Sequence, residues 1–151
     1  MITITKDNFS IKQICESGQC FRLERINMPG EQSNVVKMAE AERYNLIAFG
    51  KYLEIAQEGN RLSFDCKQEE FDSLWKSYFD LEEDYGRIIA SIDGEDDYLF
   101  KAASYGSGIR ILRQDLWEMI VSFIVSQQNN IKRIRKCISF LCRRYGEEKA
   151  A

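Results

Sequence analysis

The hydrophobic period of this chain changes once, near residue 66, and that change limits its fold more than any other feature. Before it, short alternating or β-branched stretches follow one another: Met1–Thr5, Cys20–Ile26, Val35–Met38, Arg43–Phe49, Tyr52–Ala56 and Arg61–Cys66. Turn signals separate them at Asn27-Met28-Pro29-Gly30, at Gly50 and at Glu58-Gly59-Asn60. Connections this short cannot contain helical crossovers, so the strands are expected to pair antiparallel. One short helix, Ser10 to about Glu16, interrupts them, with Ser10 as its N-cap and Gly18 just past its end. Phe21, Leu46, Ile47, Leu53, Ile55 and Phe64 are the apolar positions expected to enter the core.

From Gln68 the period is helical, with Phe71, Leu74, Trp75, Tyr78 and Phe79 on one stripe. Further helices are expected near 82–91 and 95–105. After the break at Gly106-Ser107-Gly108, Asp115 stands three residues before Glu118, the pattern of an N-cap with its capping-box partner. The helix that follows, Leu116–Val125, is apolar around most of its circumference and should be buried within a helical layer. A last helix, from about Asn130 to Tyr145, carries Ile131, Ile134, Ile138 and Leu141 on one stripe. Lys132, Arg133, Arg135, Lys136, Arg143 and Arg144 occupy the remainder. An apolar central helix needs partners on all sides, and only one helix follows it within the 151 residues. The chain therefore reads as part of a larger helical domain. The expected class is α+β, divided into a sheet domain with flanking helices over residues 1–105 and the first helices of a second domain over 106–151.

The net charge of −3 argues against a protein that binds a polyanion over its whole surface. The average hides a gradient. Residues 67–97 hold 3 basic and 11 acidic side chains, whereas residues 98–151 hold 10 basic and 4 acidic. Any polyanionic partner should meet the C-terminal third. The N-terminus alternates polar and apolar residues, unlike a signal peptide, and no apolar run approaches membrane-spanning length. The five cysteines, Cys15, Cys20, Cys66, Cys137 and Cys142, fit neither a zinc nor an iron–sulfur spacing, so a reduced cytoplasmic protein is expected. There is no histidine, which excludes histidine-based acid–base schemes and most catalytic zinc sites. The acidic groups Glu82-Glu83-Asp84 and Asp93 to Asp97 lack the calcium-loop pattern and read as solvated helix ends and caps. No metal or cofactor is expected.

Two stretches carry chemistry. Ser126-Gln127-Gln128-Asn129-Asn130 places five uncharged polar residues between an apolar helix and a basic one. Amides offer donors and acceptors suited to base edges, a helix N-terminus favours phosphate, and Arg133 lies one turn from Asn129 and Asn130. The same residues also suit a plain inter-helix turn with Asn130 as N-cap. In Ser17-Gly18-Gln19-Cys20-Phe21-Arg22, Gly18 is either a helix-terminating residue in left-handed geometry or a point where a ligand approaches the backbone closely.

Together, Ser-Gly-Gln-Cys-Phe-Arg at 17–22, Ile-Leu-Arg-Gln-Asp at 111–115 and Ser-Phe-Ile-Val-Ser-Gln-Gln-Asn-Asn-Ile-Lys-Arg-Ile at 122–134 resemble the 8-oxoguanine DNA glycosylases of the helix–hairpin–helix DNA glycosylase superfamily. The resemblance covers most of the chain and is weakest over 67–105. It implies an antiparallel sheet domain like a TATA-binding-protein repeat, packed on the start of a helical glycosylase domain. It also implies base excision repair: flipping 8-oxoguanine out of double-stranded DNA and removing it opposite cytosine, with glycosylase and abasic-site lyase activities. By the same resemblance, Gly18 reads the lesion through its carbonyl, which accepts from an N7–H that guanine lacks. Gln128, Asn129, Asn130 and Arg133 grip the estranged cytosine. The family commonly has Asn where this chain has Gln128, one methylene longer. Its Schiff-base lysine and assisting aspartate have no matching motif here, so no catalytic residue is expected within these 151 residues, which alone should be inactive. The competing expectation is a non-enzymatic module that binds nucleic acid or protein. A cytoplasmic location, at the nucleoid in a bacterium, is expected.

Overall fold

The computed structural model describes residues 1–26 and 41–149. Five strands form one antiparallel sheet: β1 (Ile2–Thr5), β2 (Leu23–Arg25), β3 (Glu42–Ala48), β4 (Lys51–Glu58) and β5 (Arg61–Phe64), in the order β1-β5-β4-β3-β2. The first and second strands lie at opposite edges. Helix α1 (Ile11–Glu16), capped by Ser10, whose hydroxyl accepts from the Gln13 N–H, stands between them in the chain. Five of the six strands expected from alternation are present. Cys20–Ile26 shrinks to β2, and Val35–Met38 and the turn at 27–30 lie outside the described residues.

Alternate positions face the core because successive side chains in a strand point to opposite faces. Register stacks Ile2, Phe64, Ile55 and Tyr44 in one row across β1, β5, β4 and β3. Leu53, Leu46 and Leu23 form a second row across β4, β3 and β2. Leu46, Leu53, Ile55 and Phe64 are buried as expected. Phe21 and Ile47 are only half-buried and line a cleft between the sheet and the last helix, because the alternation places Ile47 opposite the core face. Phe49 was expected to end a strand. It instead turns the chain with Gly50, both at positive φ (50° and 70°), which matches the twist of a tight hairpin.

The aromatic stripe covers the inner sheet face. Helices α2 (Gln68–Glu70) and α3 (Lys76–Tyr78) flank a π-helical turn over Phe71–Trp75, which the sequence period did not predict. Phe64 meets Phe71 and Phe79 edge-on at 5.1 and 5.9 Å, and Tyr78 meets Phe79 at 5.0 Å. Such pairs contribute about 0.5–1.5 kcal/mol each beyond their buried area. Two aspartates of the acidic stretch serve as caps. Asp84 accepts from Arg87 N–H at the start of α4 (Tyr85–Ala90), and Asp96 from Leu99 N–H at the start of α5 (Asp97–Tyr105).

The chain then returns to the sheet domain through Arg110, a fully buried arginine. Its guanidinium donates to the carbonyls of Asn8 (3.1 Å), Asp80 (2.6 Å), Glu83 (3.3 Å) and Asp7 (3.4 Å) and stacks over Tyr85 at 4.3 Å. Those carbonyls replace the water that burial removes, so the charge is tolerated. Leu112, two residues on, enters the hydrophobic core.

Helices α6 (Leu116–Ser126) and α7 (Ile131–Tyr145) complete the described residues. The expected burial of α6 is corrected. None of its residues is buried, and Leu116, Trp117, Phe123 and Ile124 are between 65% and 72% exposed. Among the described residues, helix α7 and the Arg22 loop pack on α6, which leaves the rest of its apolar circumference uncovered.

Candidate nucleic-acid interface

Gly18 follows the α1 C-cap Ser17 at φ +78°, a left-handed conformation that glycine adopts without the steric cost of a Cβ. A Cβ built on Gly18 would find only Ile131 Cδ1 within 4 Å, at 4.0 Å, so the space beside its Cα is largely open. That neighbour is the first residue of α7. The two stretches singled out in the sequence therefore meet: the glycine loop after α1 lies against the N-terminal turn of α7.

Hydrogen bonds hold the loop. Ser17 Oγ donates to Ile14 O at 2.7 Å and accepts from Gln19 Nε2 at 3.1 Å. The Gln19 side chain reaches the segment before α6, donating to Arg110 O at 3.0 Å and accepting from Leu112 N–H at 3.0 Å. Gln114 Nε2 donates back to Gln19 O at 2.7 Å. The motifs at 17–22 and 111–115 are thus bonded to each other. Sequence reasoning singled out Gly18 but missed Gln19 and Gln114. The available signal was the pair of glutamines inside two separate motifs that share a neighbourhood.

The turn between α6 and α7 assigns its amides unequally. Asn129 donates through Nδ2 to Val125 O at 3.0 Å, and its Oδ1 accepts from Asn130 N–H at 3.0 Å. Asn130 is the N-cap of α7, its Oδ1 accepting from Arg133 N–H at 3.1 Å. Both asparagines therefore shape the turn. Gln128 sits at φ +49°, and its side chain, like that of Arg133, is exposed with no partner among the described residues. The turn thus presents two side chains without partners among the described residues, Gln128 and Arg133, on a frame built by Asn129 and Asn130.

Electrostatics favour an anion here. Lys132, Arg133, Lys136, Arg143 and Arg144 are exposed on α7, while Ile134 and Ile138 hold it to the rest of the protein. Arg135 departs from the expected solvated face. It turns inward and donates through Nη2 to Cys15 O at 3.2 Å. Arg22 binds Glu118 of α6 at 3.3 Å. Asp115 accepts from Glu118 N–H at 3.0 Å, and the Glu118 carboxylate binds Arg22 through Oε2. Burial pushes the Glu118 carboxyl above the usual range, and the nearby Arg22 charge opposes that rise.

A cleft of about 880 Å³ lies between α7 and the outer sheet face, lined by Phe21, Ile47, Tyr52, Arg135 and Arg143 among others. None of the expected site residues lines it. Among the described residues no group of three Cys, Asp or Glu side chains could hold a metal ion, and no helix is long and apolar enough to cross a membrane.

Comparison with known proteins gives this geometry a context. The N-terminal domain model of the 8-oxoguanine DNA glycosylases matches residues 1–120. The N-glycosylase/DNA lyase of Saccharomyces cerevisiae is 29% identical over 153 aligned residues, covering 96% of this chain and 39% of the yeast protein. A structure of MBOgg1 with a low-affinity DNA ligand superposes with a TM-score of 0.83 at 36% identity, over 99% of this chain and 47% of that one. The Clostridium acetobutylicum 8-oxoguanine glycosylase/lyase, in complex with double-stranded DNA containing cytosine opposite 8-oxoguanine, superposes at 0.81 and 35% identity, over 100% of this chain and 51% of that one. The chain thus spans about half or less of these relatives' length. With an α+β fold, the motifs of residues 17–22 and 122–134 in contact and a family match over most of its length, the chain belongs to the 8-oxoguanine DNA glycosylase family and carries that family's N-terminal domain.

Proposed function

We propose that the protein bearing this chain is a base-excision-repair glycosylase and abasic-site lyase that flips 8-oxoguanine from double-stranded DNA and removes it opposite cytosine. Residues 1–105 form its sheet domain, and residues 106–151 contribute the first helices of its glycosylase domain. The Gly18 carbonyl reads the N7–H that distinguishes the oxidised base. Gln128 and Arg133 supply donors to the estranged cytosine, with Asn129 and Asn130 holding them in place and joining the DNA contact. The chemistry itself calls for a Schiff-base lysine, and no lysine of this chain lies in a matching motif.

The observation that carries this reading is the approach of the first turn of α7 to the Gly18 loop, with Ile131 Cδ1 4.0 Å from the place a Cβ on Gly18 would take. It sets the glycine loop beside the start of a basic helix, and the Gln128 and Arg133 side chains near that start are exposed. The test is affinity of the whole-reading-frame protein for duplexes carrying 8-oxoguanine or guanine opposite cytosine. Gly18→Ala introduces a Cβ where the base edge must approach and strains a left-handed backbone. It should lower the preference for the lesion by up to roughly a hundredfold, the worth of about 1–3 kcal/mol for one buried hydrogen bond. An unmodified protein with no preference for the lesion contradicts the reading.

A further inference from the structure

We infer that Gln19 is a positioning residue for lesion reading, aiming the Gly18 carbonyl from behind with the help of Ser17 and Gln114. The inference rests on the role proposed for Gly18. The peptide unit is planar, so the direction of the Gln19 N–H sets the direction of the Gly18 C=O across the same bond. That N–H points to Ser17 Oγ at 3.4 Å, and Ser17 is itself tied to the last turn of α1 through Ile14 O. The other end of the residue is fixed as well, by the 2.7 Å bond from Gln114 to Gln19 O.

The side chain completes the clamp. By donating to Arg110 O and accepting from Leu112 N–H, the Gln19 amide bonds the groups flanking Ile111, as a residue of a parallel strand bonds its neighbour. Both amide hydrogens are used, on Ser17 Oγ and Arg110 O, and so are the carbonyl oxygen and both backbone groups. The segment it grips cannot drift, because Arg110 is buried against the carbonyls of four residues and Leu112 lies in the core. A glycine in left-handed geometry has no side chain to hold its own peptide. The structure delegates that task to the residue after it.

Gln19→Glu tests this with little change of shape. The acceptor to Leu112 survives, whereas Nε2, with both its N–H donors, becomes one oxygen facing the Arg110 carbonyl and Ser17 Oγ. The readout is the ratio of affinities of the whole-reading-frame protein for 8-oxoguanine and guanine duplexes, both opposite cytosine, measured beside the thermal midpoint. The ratio should fall about tenfold in Gln19→Glu, with a smaller fall in Gln114→Ala, the scale set by the loss of one or two hydrogen bonds. A residue that only stabilised the fold would lower the midpoint or shift both affinities together, and an unchanged ratio overturns the inference. Gly18→Ala in the same series separates the two claims. If it abolishes the preference while Gln19→Glu keeps it, the positioning role fails alone. If the unmodified protein has no preference, the reading of Gly18 fails and takes the inference with it.

Discussion

Gln128 adopts a left-handed backbone at φ +49°, where a side chain other than glycine, asparagine or aspartate costs about 1 kcal/mol. Its neighbours build the turn, so the strain sits on the residue that has no internal bond. Gln128→Gly should raise unfolding stability by up to about 0.5 kcal/mol, net of the larger entropy glycine brings to the unfolded chain, as read in a urea titration. If the amide also grips DNA, the same substitution lowers duplex affinity while the fold gains. Glu118 makes a second residue-scale case. Its folded carboxyl titrates above the ordinary 4.5 because of burial, so the native state holds more protons than the unfolded state across that interval. Stability contributed at this site therefore falls as pH rises from 4.5 through the raised value. Glu118→Gln should flatten that part of the pH profile of the thermal midpoint. Identical profiles for the two proteins would mean that the Arg22 charge offsets the burial fully.

At the scale of elements, Asn130 caps α7 and is also placed at the DNA by the proposed function. Asn130→Ala removes the cap on Arg133 N–H and should cost about 1 kcal/mol of stability. Asn130→Asp keeps a capping oxygen and should retain stability, while losing the amide donors and adding negative charge beside DNA. A protein with Asp at this position that is stable yet weak on duplex DNA, in parallel melting and anisotropy measurements, would confirm that the residue acts in both ways. An equal affinity would leave it a cap only. The strands, α1 with its Ser10 cap and the Asn130 cap were legible because they depend on local period and on side chains that bond within three residues. The π-turn at Phe71–Trp75 and the positive φ of Phe49 were not, since both arise from fitting aromatic side chains and a hairpin to the assembled sheet. The inward turn of Arg135 was hidden for a related reason. Its position in a basic run matches that of solvated neighbours, and only the approach of Cys15 distinguishes it.

For the whole molecule, the charge gradient read from the sequence corresponds to a physical division. Asp84 and Asp96 begin the helices of the acidic stretch, while α7, which carries the basic side chains, sets its first residue near the glycine loop. The uncovered apolar face of α6 is what the sequence could not reveal, because a helical period reports how apolar a helix is and not what lies on each side of it. The long-range bonds of Gln19 and Arg110 were hidden likewise, each joining residues 91 or more positions apart except where Arg110 reaches the 80–83 turn. In the proposed function the glycine loop and the start of α7 divide the labour, the loop reading the lesion and the helix start reading the cytosine. The most direct measurement is the affinity of the whole-reading-frame protein and of Arg133→Ala for 8-oxoguanine duplexes with each of the four bases opposite the lesion. Arg133→Ala should lose its preference for cytosine by on the order of 1–3 kcal/mol, with smaller losses opposite the other bases. A uniform loss of affinity opposite all four bases, with the cytosine preference intact, would contradict it and leave Arg133 as one more phosphate contact on a basic helix.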